Sequence, residues 1–121
     1  MKLILFLFFV CLGAQAFSDE KFNKIASEID FLKIVGGYTL VRPLIKLVVQ
    51  NDGTISGKAA FRSVHGKWFW DNELFCRTLF WGERDLGLNC QLVQHSGKIV
   101  RFTADEGTGA FADFRIEKKL D

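Results

Sequence analysis

The residues with types and spacing suited to chemistry crowd into one stretch. Residues 67–91 read KWFWDNELFCRTLFWGERDLGLNCQ and hold all three tryptophans, Arg77 and the cysteines Cys76 and Cys90. An arginine among large apolar neighbours stacks on an aromatic ring, pairs with a carboxylate, or binds an anion. For Arg77, Asp71 and Asp113 are the acids proposed as ion-pair partners. If the stretch instead lines a pocket, Trp68, Trp70, Arg77 and Trp81 are the ligand-contacting candidates. Cys76 and Cys90 carry no C-x-x-C spacing, and two cysteines with two distant histidines do not form a zinc set. They read as a structural disulfide, and no metal site is assigned.

Other candidates read as ordinary surface chemistry. His65 and His95 are the two histidines, the residue type suited to general-base chemistry. Both fall beside glycine or Ser-Gly at expected strand ends, where a solvated turn histidine is usual. Asp71, Glu73, Asp85, Asp105 and Glu106 cluster at turns. A carboxylate pair can hydrolyse a glycosidic bond, so a hydrolase using turn carboxylates is an enzymatic alternative. Gly107-Thr108-Gly109-Ala110-Phe111-Ala112 matches the loose dinucleotide pattern G-x-G-x-x-A, which is informative only between a strand and a helix. Here the following residues alternate like a strand, so a glycine turn is expected, with no cofactor.

The elements that position these residues follow from periodicity. Trp68-Phe69-Trp70 and residues 74–81 flank Asp71-Asn72-Glu73, a β-hairpin pattern. Alternation puts Trp68 and Trp70 on one face, and Phe75, Arg77, Leu79 and Trp81 on one face of the next strand. Both faces are largely apolar, which predicts a hairpin covered on two sides. Asn51-Asp52-Gly53 is a strong turn. Further strands are expected over residues 38–41, 44–49, 54–64, 90–94, 98–103 and 110–117, with Gly57 at a bend. Phe22, Ile25, Ile29 and Leu32 recur at helical spacing, so an amphipathic helix is expected over residues 19–35. Ser18 would cap it and Gly36-Gly37 end it. The fold class is therefore mainly β (α+β). An N-terminal helix packs on a curved antiparallel β-meander of about seven strands, which can close into a barrel.

The chain has 121 residues and a formal charge of +2. Lys2, the apolar run from Leu3 to Val10 and Ala14-Gln15-Ala16 form a secretory signal pattern, with cleavage expected after Ala16. Cleavage removes Lys2 and no acid, leaving 105 residues with a formal charge of +1. Residues 17–121 then form one domain. Near-neutral charge argues against a nucleic-acid partner. No stable membrane anchor is expected after cleavage. Export and a remaining pair of cysteines predict an oxidising compartment, periplasmic or secreted.

The motif W-F-W-D-N-x-x-F-C-R (residues 68–77), with L-F-W-G and N-C-Q after it, resembles a group of small secreted bacterial proteins. The likeness includes T-L-V-R-P-L and I-V-R-F-T-A-D-x-G-x-G and spans residues 37–114. Some members are labelled dihydrodipicolinate reductase. The resemblance implies a bacterial envelope or secreted location, and the label implies a reductase using a nicotinamide nucleotide. It supplies no catalytic residue. The reading from the residues is a non-enzymatic module for an unknown small ligand or an envelope protein.

Overall fold

The computed structural model describes residues 21–119. The signal pattern and the expected Ser18 cap lie outside them. The described chain begins with a short strand β1 (Asn23–Lys24) and a helix α1 (Glu28–Val35). Eight strands follow: β2 (Tyr38–Arg42), β3 (Ile45–Val49), β4 (Thr54–Ala59), β5 (Arg62–Asp71), β6 (Leu74–Trp81), β7 (Arg84–Ser96), β8 (Ile99–Thr103) and β9 (Phe111–Lys119). Each pairs antiparallel with the next, and β9 returns to β2 through Leu40↔Ile116 and Val41↔Arg115. The meander thus closes into an eight-stranded barrel, which leaves no free edge around the ring.

The helix differs from its expected extent. Residues 23–24 are extended, pairing with Gln94 and His95 of β7, and the Ile25 N–H donates to the Val93 carbonyl at 2.9 Å. The β6 partners of β7 stop at Gln91, so the segment beyond offers a ladder edge. Pairing there satisfies the backbone and overrides the helical spacing of Phe22 and Ile25. The cap is Ser27, whose side chain accepts from the Asp30 N–H at 3.1 Å. The buried positions of α1 are Phe31 and Val35, whereas Ile29 is 68% exposed.

Another difference lies within residues 54–64, which form two strands rather than one. The chain reverses at Ala60-Phe61, both in the left-handed region (φ 47° and 72°). Neither residue signals a turn by type. The Ala60 N–H donates to the Leu44 carbonyl at the neighbouring hairpin tip, at 2.9 Å.

Interior positions follow from the register. Trp68↔Arg77 and Trp70↔Phe75 share a face, as do Phe75↔Gln91, Val93↔Phe102 and Val100↔Phe114. Gly57 and Gly66 occupy this inner face opposite Leu47 and Leu79. A β-carbon on Gly66 would lie 2.0 Å from the Thr78 carbonyl oxygen, and one on Gly57 2.1 Å from that of Lys46. The absent side chains let the wall bend tightly there.

Helix α1 closes one end of the barrel. Its Phe31, fully buried, packs on Trp68, Trp70, Phe75 and Phe102 with ring centroids 5.1–6.4 Å apart. On the outer face Cys76 and Cys90 sit directly opposite each other and are bonded, S–S 2.07 Å. Among the described residues no second layer covers that face, although its apolar residues predict one: Phe69 is 51% and Leu88 60% exposed. His65 stacks on Phe80 there, with centroids 5.2 Å apart.

Candidate functional site

An eight-stranded barrel has an interior that side chains just fill or that holds one small ligand. In this chain the interior is filled only in part. Beyond the aromatic cluster around Phe31 lies a cavity of about 270 Å³. Leu40, Leu47, Val49 and Ile55 form one wall, Phe102, Ala112 and Phe114 another, and Phe75 and Leu79 lie on β6 between them. Arg77 is the charged side chain in the lining, and Gln91 is polar beside it. No carboxylate is among the lining residues.

Alternation along β6 aims Arg77 inward, because Phe75 and Leu79 flank it on the same face. Its Nη1 donates to the Gly87 carbonyl at 2.8 Å. The register shifts between Leu79 and Phe80, so that Phe80 pairs with Asp85 and Leu79 with Gly87. The irregularity places the acceptor beside the guanidinium. A guanidinium carries five N–H donors. Its remaining donors meet no acceptor among the described residues. Burial pushes the Arg77 pKa down from its usual value, the direction expected when a cation loses water.

Neither proposed acid partner reaches Arg77. Asp113 is held by Arg101, with Nε and Nη2 donating at 2.7 and 3.0 Å. Asp71 pairs with Leu74 on the outward face and is exposed. The cation–π contacts of the described residues fall on other cations. Arg62 lies 4.9 Å from the Trp81 ring centroid, and Arg101 lies between Phe22 and Phe111 at 3.9 and 4.1 Å.

The structure does not gather the four pocket candidates. Trp68 donates its indole N–H to the Gln50 carbonyl at 2.8 Å and packs on Phe31. Trp70 donates to Ala26 at 3.4 Å, beside the same ring. Trp81 donates to Ala59 at 2.7 Å, under Arg62. Of the four, Arg77 lines the cavity. Gln91 and the aliphatic wall were not singled out from the sequence. Counting outward from Cys90 places Gln91 on the inner face, a usable signal once the disulfide faces out.

The remaining candidates stay apart. His65 is on the outer wall, while His95 pairs with Asn23 and Val100. Among the described residues no group of three or more His, Cys, Asp or Glu side chains could hold a metal ion. Gly107 ends a short turn (Ala104–Gly107) between β8 and β9, with Asp105 and Glu106 in the left-handed region, so the G-x-G-x-x-A pattern leads into a strand. Asp105 in that turn accepts from the Asn89 amide at 2.8 Å, and Gln91 donates to Asn89 Oδ1 at 3.2 Å.

Fold and cavity together define a closed antiparallel meander barrel with one end plugged by a helix and an apolar cavity that opens to solvent beside the exposed Phe111. Comparison with family models, curated proteins and solved structures finds no match to this chain.

Proposed function

We propose that this chain is an exported, non-enzymatic module that holds one small ligand inside its barrel. The observation that carries the reading is the apolar cavity of about 270 Å³ behind the Phe31 plug. Ligand pockets of proteins are concave, mostly apolar and equipped with a few polar groups. The signal pattern and the Cys76–Cys90 disulfide support a periplasmic or secreted location. Native mass spectrometry of protein purified from its own host is expected to show an adduct of small-molecule mass that denaturation releases. A bare chain mass, together with no binding of an apolar fluorescent probe, would remove the reading.

Two enzymatic alternatives remain as proposals, a dihydrodipicolinate reductase-like activity and a carboxylate hydrolase. The reductase predicts nicotinamide nucleotide binding. The strand–turn–strand setting of Gly107 lacks the helix N-terminus that holds a pyrophosphate. NADH and NADPH are therefore expected to show no saturable fluorescence change with the purified protein. Saturable binding that Gly109→Val abolishes would reinstate the reductase.

A protein partner is the second reading. Leu44 and Phe61, 69% and 87% exposed, line one groove at neighbouring hairpin tips with Arg42, Lys46, Lys58 and Arg115. The same mass measurement distinguishes the two, since a protein partner gives a protein-sized adduct.

A further inference from the structure

We propose that the cavity takes a small apolar monoanion, an alkyl or aryl monocarboxylate, whose head group pairs with the Arg77 guanidinium. The inference rests on reading the barrel as a small-ligand module and adds the chemistry of the ligand.

The first observation is a charge without a counter-charge. Arg77 is partly buried, and its hydrogen-bond partner is a single neutral carbonyl, that of Gly87. No acid among the described residues forms an ion pair with Arg77; four acids of the barrel are engaged elsewhere, Asp113 by Arg101, Glu117 by Arg115, Glu73 by Lys24 and Asp105 by Asn89. A cation withdrawn from water and left unpaired is costly, and an apolar side chain of similar length would line this wall without that cost. An anion arriving in the cavity supplies the missing partner. The planar guanidinium fork matches a carboxylate in shape and can bond both of its oxygens.

The second observation limits the ligand. The cavity offers one cation, one amide at Gln91 and otherwise apolar wall. A single negative charge on an apolar body fits that inventory. A multiply charged phosphate or a polyhydroxylated sugar would leave its other polar atoms unpaired against Leu40, Leu47 and Phe114. The volume lies near the lower end of ligand pockets, roughly 300–1,000 Å³, which calls for a short chain or a single ring. Arginine stays protonated in proteins even where burial lowers its pKa, so the anchor persists across physiological pH.

The test compares octanoate with octan-1-ol, which share a chain and differ in head-group charge. Calorimetric titration would use the wild-type chain, Arg77→Met and Ala112→Leu, the last filling the cavity from β9. Octanoate is expected to bind the wild type about ten- to a hundredfold more tightly than octanol. Arg77→Met should remove that difference by weakening octanoate alone, and Ala112→Leu should weaken both ligands. Equal wild-type affinities for the two, each reduced by Ala112→Leu, overturn the anion inference and leave the cavity reading standing. No binding of either, or binding that Ala112→Leu does not change, removes the cavity reading and this inference with it. The wild-type head-group comparison decides the matter even if Arg77→Met does not fold.

Discussion

Replacing Phe31 with alanine lowers the stability of the domain by about 3–5 kcal/mol, the range for emptying a fully buried phenylalanine site. Phe31 is 0% exposed and meets four aromatic rings drawn from β5, β6 and β8. Those rings belong to strands that cannot move inward independently, because each is fixed in a closed ladder. The hole therefore collapses little, which puts the cost toward the upper part of the range. A small domain has only about 5–15 kcal/mol in total, so the loss is a large share of it. Phe75 and Phe102 touch Phe31 on one side and line the cavity on the other. Truncating Phe31 thus also loosens the backing of the cavity wall. Ile29→Ala, on the same helix but 68% exposed, is the control and should stay within about 0.5 kcal/mol of wild type. Urea unfolding followed by tryptophan fluorescence measures both. A Phe31→Ala midpoint close to that of Ile29→Ala would show that α1 does not plug the barrel.

The contrast between those two residues marks where sequence reading succeeded and where it stopped. Residues 74–81 and the turn at Asn51-Asp52-Gly53 were legible because their signals are local. The first is an alternating aromatic run with a turn in front of it, and the second a turn of residues that adopt positive φ easily. The Cys76–Cys90 bond was legible from the lack of C-x-x-C or zinc spacing and from an even pair of cysteines behind a secretory signal pattern. The face of α1 was not. Phe22, Ile25, Ile29 and Leu32 have helical spacing, yet residues 23–24 pair with β7 and the helix starts only after Ser27. That outcome depends on an edge seventy residues away, which no local window contains. The hairpin at Ala60-Phe61 was invisible for the converse reason. Neither residue favours the left-handed region, and the turn persists because β4 pairs over its whole length with residues 62–67 of β5.

Of the four pocket candidates, the structure places one at the cavity. Arg77 stood out as a charge in an apolar layer, and it does line the cavity. The three tryptophans stood out by size, but large aromatics are strong candidates for core as well as for pockets. Trp68 and Trp70 went to the Phe31 cluster, and Trp81 went to a cation–π contact with Arg62. Whether an interior is filled or hollow depends on the summed volumes of side chains from every strand of the ring. Ala112 gives up volume on that inner face, where it lines the cavity. No motif reports that sum.

Removing the disulfide by Cys76→Ala with Cys90→Ala costs about 3 kcal/mol, within the usual range of about 2–5 kcal/mol for a native bridge in a small exported domain. The bond closes a loop over a sequence separation of 14, so in the chain-entropy account it acts mainly on the unfolded state. It also has a positional consequence. Cys76↔Cys90 lies one step from Arg77↔Asn89 and Phe75↔Gln91. A slip of one residue between β6 and β7 would send inner-face residues outward, and the covalent link forbids that slip. The bridge thus supports the inward placement of Arg77 and Gln91. Protein purified without reductant should titrate with no free thiol. In urea, the reductant-treated wild type and the double alanine variant should lose stability together, and equally. If reduction leaves the midpoint unchanged, the ladder alone carries the register and the bridge is redundant. If free thiols titrate in the native protein, the pairing of Cys76 with Cys90 in solution is itself wrong.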